Sequence, residues 1–201
     1  PRRSDSMLLH ETLRAVRDYW RERPGDLIFV VRNLAHLRLM VPLVLVRELA
    51  HPPELVWEAL TDPEQLRHWA PYDSDQNLGT VGSAKLSTVG APQPLVSETE
   101  IKRADAPKLL EFNWGGQDIR WELEPLGGGG TRLTLWHNID RRFISMGAAG
   151  WHICFDVLDH LLDETPVGRI VAGDALRFGG WQRLNAEYAK QFGVEAPNWP
   201  P

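Results

Sequence analysis

The chain has 201 residues, of which 43% are hydrophobic and 24% are charged, a composition typical of a globular protein and not of a disordered one. Its net charge of −5 argues against nonspecific nucleic-acid binding, which requires a basic surface. The one cysteine, Cys154, has no partner for an intrachain disulfide, and no run of about 20 apolar residues predicts a membrane span. We therefore expect a cytoplasmic protein without integral membrane association and without a nucleic-acid partner.

The first 40 residues form an N-terminal extension that differs from the rest in charge, with eight arginines against five acidic residues. From Leu8 to Glu22, apolar residues recur at the spacing of an amphipathic helix, at Leu9, Leu13, Val16 and Trp20. Such an apolar stripe packs either on the chain's own body or on a second copy in a homodimer. Residues 26–41 fit a helix, while Leu27–Val31 alone fits a strand.

A strand and two short helices are expected next. Leu43–Leu49 is apolar and rich in β-branched residues, which predicts the first strand of the main domain. Two prolines follow, and Pro53 suits the first turn of a short helix that runs to Leu60. Asp62 is then the predicted N-cap of a second short helix that ends near Trp69.

A series of turn-separated strands is predicted after these helices, near Ser83–Val89, Leu95–Arg103, Lys108–Trp114, Asp118–Glu124 and Thr131–Asn138. Apolar and polar residues alternate along them, so one face of the sheet is expected to be apolar and the other wet. The loop Gly127–Gly130 lies between two strands and not before a helix, which indicates a hairpin turn and not a phosphate-binding loop.

The last third of the sequence is predicted to be helical. With Trp151 as the reference, Cys154, Phe155 and Leu158 fall on one arc of a long amphipathic helix. A final helix is expected over Leu176–Phe192, before a Pro-rich tail at 194–201. A sheet with one apolar face and a long amphipathic helix are expected to bury their apolar sides against each other. The fold class is therefore α+β, with a curved antiparallel sheet wrapped around a long C-terminal helix.

Three stretches carry a family resemblance. They are residues 47–64 (RELAHPPELVWEALTDPE, continuing to Trp69), residues 109–114 with 130–137 (LLEFNW and GTRLTLWH), and Gly150-Trp151. The chain resembles the START-like or SRPBCC superfamily with its helix-grip fold, and within it the branch of the activator of heat-shock protein 90 ATPase homologue (C-terminal domain-like). The resemblance implies a helix-grip domain over 41–193. Residues 1–40 are too short to replace the namesake co-chaperone's separate N-terminal domain, so chaperone activation is not expected.

The resemblance also implies non-catalytic binding of a small hydrophobic or amphipathic molecule, such as a lipid, between the sheet and the C-terminal helix. The residues that we expect to line this cavity are Trp69, Phe112, Trp114, Trp121, Leu135, His137, Trp151 and Phe155. The strand alternation points His137 inward, where its imidazole must find a partner or stay neutral; it is either a satisfied structural residue or a contact to the ligand. Arg47 is a candidate to share that interior. The same aromatic residues are alternatively able to fill the space and leave no cavity.

Two other functions remain open on the sequence alone. One is a cyclase- or hydrolase-like enzyme that uses the inward His137, and the other is a protein–protein or co-chaperone-like module that uses the basic N-terminal helix. His152, Asp156 and His160 have a spacing that suits metal ligands, but they fall on the polar arc of their helix. Cys154 falls on the apolar arc and is expected to be a buried hydrophobe. We predict no catalytic residue, metal or cofactor.

Overall fold

A computed structural model describes residues 27–30 (backbone only), 40–90, 95–177 and 179–197. The amphipathic helix predicted for Leu8–Glu22 and its homodimer contact lie outside the described residues and stay predictions. Residues 198–201, the end of the Pro-rich tail, also lie outside them.

The described residues contain one antiparallel sheet of eight strands, in the spatial order β1-β2-β8-β7-β6-β5-β4-β3. The strands are β1 (Leu27–Val30), β2 (Met40–Leu49), β3 (Tyr72–Ser74), β4 (Gly82–Thr88), β5 (Leu95–Asp105), β6 (Leu109–Trp114), β7 (Gln117–Pro125) and β8 (Thr131–Asp140). Of the two alternatives for residues 26–41, the structure shows a strand at Leu27–Val30. Strand β3 was not predicted, because three residues are too few to show a periodicity.

The helices are α1 (Pro53–Thr61), α2 (Pro63–Trp69), α3 (Ile144–Leu162), α4 (Ala172–Arg177) and α5 (Gly180–Phe192), with a 3-10 turn at Arg141–Phe143. The two short helices after β2 are confirmed, and the Asp62 side chain caps α2 by accepting from the backbone N–H groups of Glu64 and Gln65. Two boundaries were wrong. The long helix begins at Ile144 and not near Gly150, and the single helix predicted for 176–192 is interrupted at Gly179, whose backbone is left-handed with φ of 66°.

The inner face of the curled sheet packs on α3, which confirms the predicted α+β architecture. On β8 the inner positions Leu133, Leu135, His137 and Ile139 are buried and alternate with more exposed residues. Trp151, Phe155 and Leu158 of α3 face this layer. Helices α4 and α5 follow α3 in the chain, and α5 packs against it, so the long helix is covered on two sides. None of the described helices is both long enough and apolar enough to cross a membrane.

Strand β2 buries apolar side chains on both of its faces. Val44 and Val46 form a small outer cluster with Trp136, separate from the main core. Arg47 lies in the inner register opposite Leu133, and its guanidinium donates to an Asp156 carboxylate oxygen at 2.8 Å. His137 pairs with Leu43, four residues from Arg47 and therefore about 13 Å away along the strand. Arg47 thus shares the inner face of the sheet with His137, but the two side chains contact different residues of α3.

Candidate functional site

The interior between the sheet and α3 has two ends, and one of them is filled by side chains. We call it the filled end. The Trp121 ring lies 6.0 Å from the Trp69 ring and 5.8 Å from the Phe155 ring, measured between centroids. The Trp69 indole N–H also donates to the Ala59 carbonyl oxygen at 2.9 Å. Rings contributed by α2, β7 and α3 therefore interlock and leave little free volume between them.

Five of the eight predicted lining residues belong to this packed core and do not border the cavity described below. They are Trp69, Phe112, Trp121, Leu135 and Phe155, and all are buried. Their inward orientation follows from the strand and helix periodicities, as the sequence analysis expected. What the periodicities did not show is that rings from the opposite layers occupy this space, so that these side chains contact one another.

The opposite end of the interior contains a cavity of about 380 Å³. We call it the open end. Trp114, His137 and Trp151 border it, and these are the three predicted residues that the structure brings together around free volume. The Trp114 and Trp151 ring centroids are 6.1 Å apart, with the rings nearly perpendicular. Four further residues of α3 also border the cavity, so the first half of the long helix forms one wall: Met146, Gly147, Gly150 and Cys154.

The outer wall of the cavity is built by the segment between α3 and α5 together with the first turn of α5. Its apolar contributions are Ile170, Val171, Ala172, Ala175, Leu176 and Trp181. Arg169 anchors the start of this wall, because its guanidinium donates to an Asp73 carboxylate oxygen at 2.5 Å and to the Leu66 carbonyl at 3.1 Å. The sequence signal was the apolar spacing of Val171, Ala175 and Leu176, which resembles an ordinary helix face.

A chain of hydrogen bonds forms the polar corner of the cavity. The Trp151 indole N–H donates to His137 Nδ1 at 3.0 Å, and His137 Nε2 lies 2.5 Å from Gln117 Oε1. The pairing of β7 with β8 sets Ile119 opposite His137. Gln117 precedes Ile119 by two residues, so it lies diagonally from His137 on the same face, within hydrogen-bond distance. Gln117 was not among the predicted site residues, since its partner lies on another strand.

The His137 imidazole is neutral and satisfied by protein groups. Burial lowers the pKa of His137 from 6.5 to about 4. The residue is 3% exposed, which agrees with the inward orientation expected from the alternation. Of the two roles left open for His137, the geometry shows the structural one directly, and its position at the cavity wall leaves the ligand contact as a proposal.

Two other ionisable groups near the cavity are also neutral. Cys154 borders the cavity, and burial raises the pKa of its thiol to about 12, so it behaves as the buried hydrophobe that the sequence predicted. Tyr72 packs under Trp114 with ring centroids 5.2 Å apart, and burial raises the pKa of its hydroxyl. None of the described residues that border the cavity is an Asp, Glu, Lys or Arg.

A second depression, of about 470 Å³, lies on the outer face of the sheet. Its polar rim consists of paired charges: Lys102 Nζ lies 2.6 Å from Asp118 Oδ1, and Arg120 Nη1 lies 2.8 Å from Glu111 Oε1. Such pairs are ordinary for the wet face of an antiparallel sheet. We therefore place the candidate site in the inner cavity.

The three residues with metal-ligand spacing do not converge. His152 Nδ1 lies 2.5 Å from the Tyr188 hydroxyl, whereas His160 Nδ1 lies 3.2 Å from Thr165 Oγ1. A different group, His51 with Asp159 and Asp163, brings its potential ligand atoms within 4.8 Å of one another at the surface. His51 Nε2 there is already 2.7 Å from Asp163 Oδ1, which is an ordinary side-chain pair.

Comparisons with known proteins agree with this architecture. The family described as Activator of Hsp90 ATPase homolog 1-like protein matches residues 50–163. A conserved protein of unknown function from Enterococcus faecalis superimposes with a TM-score of 0.62 at 13% identity, over 84% of this chain and 91% of that one. CalU16 from Micromonospora echinospora gives 0.59 at 18% identity, over 83% and 98%.

A protein from Mesorhizobium loti gives a TM-score of 0.53 at 26% identity, over 63% of this chain and 99% of that one. No curated protein matches the chain. These structures share the curled sheet and the long helix, and they support the superfamily that the sequence resemblance indicated. Because the family match spans more than half of its residues, the chain belongs to the Activator of Hsp90 ATPase homolog 1-like family.

Proposed function

We propose that this protein binds a small hydrophobic or amphipathic molecule, without catalysis, in the cavity between the sheet and α3. The observation that carries the proposal is a cavity of about 380 Å³ with aromatic and aliphatic walls and one polar corner, at His137 and Gln117. Small-molecule sites in proteins usually combine a concave apolar surface with a few converging polar groups. Since the one cysteine forms no disulfide, we further propose that the protein acts in the cytoplasm.

Burial of apolar ligand surface supplies the driving force. A ligand that loses about 300 Å² of apolar surface to the cavity gains roughly 7 kcal/mol before the cost of immobilisation is subtracted. Most of the wall belongs to helices and to a hydrogen-bonded sheet, and Ile170 and Val171 of the irregular segment before α4 complete it. Micromolar affinity corresponds to about 8 kcal/mol of net binding free energy, so a ligand needs a larger buried area or added polar contacts to reach it.

The state of the ionisable groups favours binding over acid–base catalysis. A general base works best with a pKa near the operating pH, whereas the pKa of His137 is lowered to about 4. Both of its ring nitrogens already contact protein groups, Trp151 and Gln117. The Cys154 thiol, with its pKa raised to about 12, has almost no thiolate at neutral pH.

The proposal is tested by titrating the protein with N-phenyl-1-naphthylamine, an uncharged apolar dye whose fluorescence rises in apolar surroundings. Gly150 provides a variant that fills the cavity, because it borders the cavity and a Cβ built on it meets no atom within 4 Å. Gly150→Leu is expected to lower the dye affinity roughly tenfold or more by occupying that space. It should leave the fold intact, since Leu is about 0.8 kcal/mol better than Gly in a helix.

The matched control is Gly173→Leu, which adds the same atoms to an exposed position of α4 that does not border the cavity. This variant is expected to bind the dye as the parent protein does. Native mass spectrometry of freshly purified protein gives a second measurement, by detecting a retained small molecule. Equal dye affinity for Gly150→Leu and the parent protein, with no retained molecule, would show that the cavity is not a binding site.

A further inference from the structure

We infer that the cavity selects uncharged molecules that carry a hydrogen-bond acceptor, such as a ketone or quinone oxygen, at one end of an apolar skeleton, and rejects carboxylates. This inference rests on the proposed binding function and adds the chemical class of the ligand. It follows from the direction of the hydrogen bonds in the polar corner and from the charges around the cavity.

The direction of the hydrogen bonds is determined by Trp151. An indole nitrogen only donates, so His137 Nδ1 must accept and must therefore carry no proton. The proton of the neutral ring is then on Nε2, which donates to Gln117 over 2.5 Å. The Gln117 atom that receives this bond has to be its carbonyl oxygen.

The amide nitrogen of Gln117 is consequently the free end of the chain. It offers two N–H donors, and no described residue accepts a hydrogen bond from it within 3.5 Å. Gln117 is half-buried and borders the cavity, so these donors lie where a ligand can reach them. A ligand that presents an acceptor oxygen satisfies them, whereas a ligand that presents only C–H groups leaves them unpaired.

The absence of charge around the cavity excludes ionised ligands. No described residue at the cavity wall is acidic or basic, and burial keeps His137 and Cys154 neutral. Arg169, at the start of the outer wall, does not border the cavity, and its charge is compensated by Asp73, although its Nε–H has no hydrogen-bond partner among the described residues. A buried carboxylate would therefore find hydrogen-bond donors but no uncompensated cation, and desolvating it would cost several kcal/mol.

Three probes of nearly equal shape separate these contributions: 2-acetylnaphthalene, 2-isopropenylnaphthalene and 2-naphthoate. They carry a neutral acceptor, no acceptor and a charged acceptor on the same bicyclic ring. Binding is measured for the complete chain at pH 7.5 by quenching of tryptophan fluorescence and by calorimetry. We expect the ketone to bind about fivefold more tightly than the alkene, and roughly 30-fold or more tightly than the carboxylate.

Gln117→Met removes the two N–H donors and keeps the length of the side chain. It is expected to abolish the fivefold advantage of the ketone over the alkene while the alkene affinity stays nearly constant. The alkene thus serves as the internal control for folding and cavity shape. If Gln117→Met does not fold, the ranking of the three probes on the parent protein still decides the question.

The outcomes separate the two proposals. Naphthoate binding as tightly as the ketone would overturn the inference about ligand class while leaving the binding function in place. Equal affinity for ketone and alkene would remove the role of Gln117 as a donor. If none of the three probes binds, the proposed function itself fails for ligands of this size, and the inference fails with it.

Discussion

The filled end and the open end of the interior are built from the same kinds of residue, yet only one of them has free volume. At the filled end, Trp69 from α2 meets Trp121 from β7 with ring centroids 6.0 Å apart. At the open end, the facing part of α3 carries Gly150, where an added Cβ would meet no atom within 4 Å. The comparison teaches that aromatic content alone does not make a binding cavity; the residue opposite each ring does.

The two ends are therefore expected to control different properties. Substitutions at the filled end remove packed contacts and should change the free energy of unfolding. Substitutions at the open end change the size or the polarity of the cavity and should change ligand affinity, as proposed above for Gly150 and Gln117.

The largest effect is expected from Trp121→Ala, which should lower the free energy of unfolding by about 3–5 kcal/mol because it leaves a cavity between fully buried rings. Trp114→Ala removes the same side chain from a half-buried position beside existing free volume, so it should cost less. Urea unfolding followed by circular dichroism measures both. Equal losses for the two variants would contradict the division into two ends.

Lowering the pH is expected to reduce the free energy of unfolding through His137, at the open end. Its folded pKa of about 4 lies below the value of 6.5 for a free side chain, so the unfolded state binds the proton first as pH falls. The contribution of neutral His137 to the free energy of unfolding is fully present above about pH 6.5. It is lost between about pH 6.5 and 4, by up to about 1.4 kcal/mol per pH unit.

This pH dependence is measured by urea unfolding at several pH values for the parent protein and for His137→Gln, whose amide does not titrate. The variant should show a smaller loss of stability between pH 6.5 and 4 than the parent protein does. Identical slopes for the two proteins would mean that folding does not lower the pKa of His137.

The smallest effect is expected from Asp62→Ala, which removes the N-cap of α2 near the filled end. The variant should lose about 1 kcal/mol of stability, because two backbone N–H groups lose their acceptor. Its affinity for N-phenyl-1-naphthylamine should be unchanged. The control Glu187→Ala removes an exposed carboxylate of α5 and should be nearly neutral in both measurements. A loss of dye affinity in Asp62→Ala would show that the two ends are coupled.

Much of the architecture was predictable because it depends on local patterns. The alternation along 109–114 and 131–138 placed Phe112, Leu135 and His137 on the inner face, and the structure agrees. Proline and aspartate signals at 53 and 62 identified the two short helices. Helix boundaries were less accurate at Gly150 and Gly179, since the residues that start and stop a helix depend on tertiary neighbours as well as on local signals.

The sequence by itself determined which side chains face inward, because a strand period of two residues and a helix period of 3.6 are properties of the backbone. Only the tertiary structure decided which of those side chains meet a ring from the opposite layer and which border free volume. The tertiary structure also determines the hydrogen bond between His137 and Gln117 and the position of the cavity wall from Ile170 to Trp181. Whether a space is filled depends on the combined volume of side chains that are far apart in the chain, and a local sequence pattern does not contain that information.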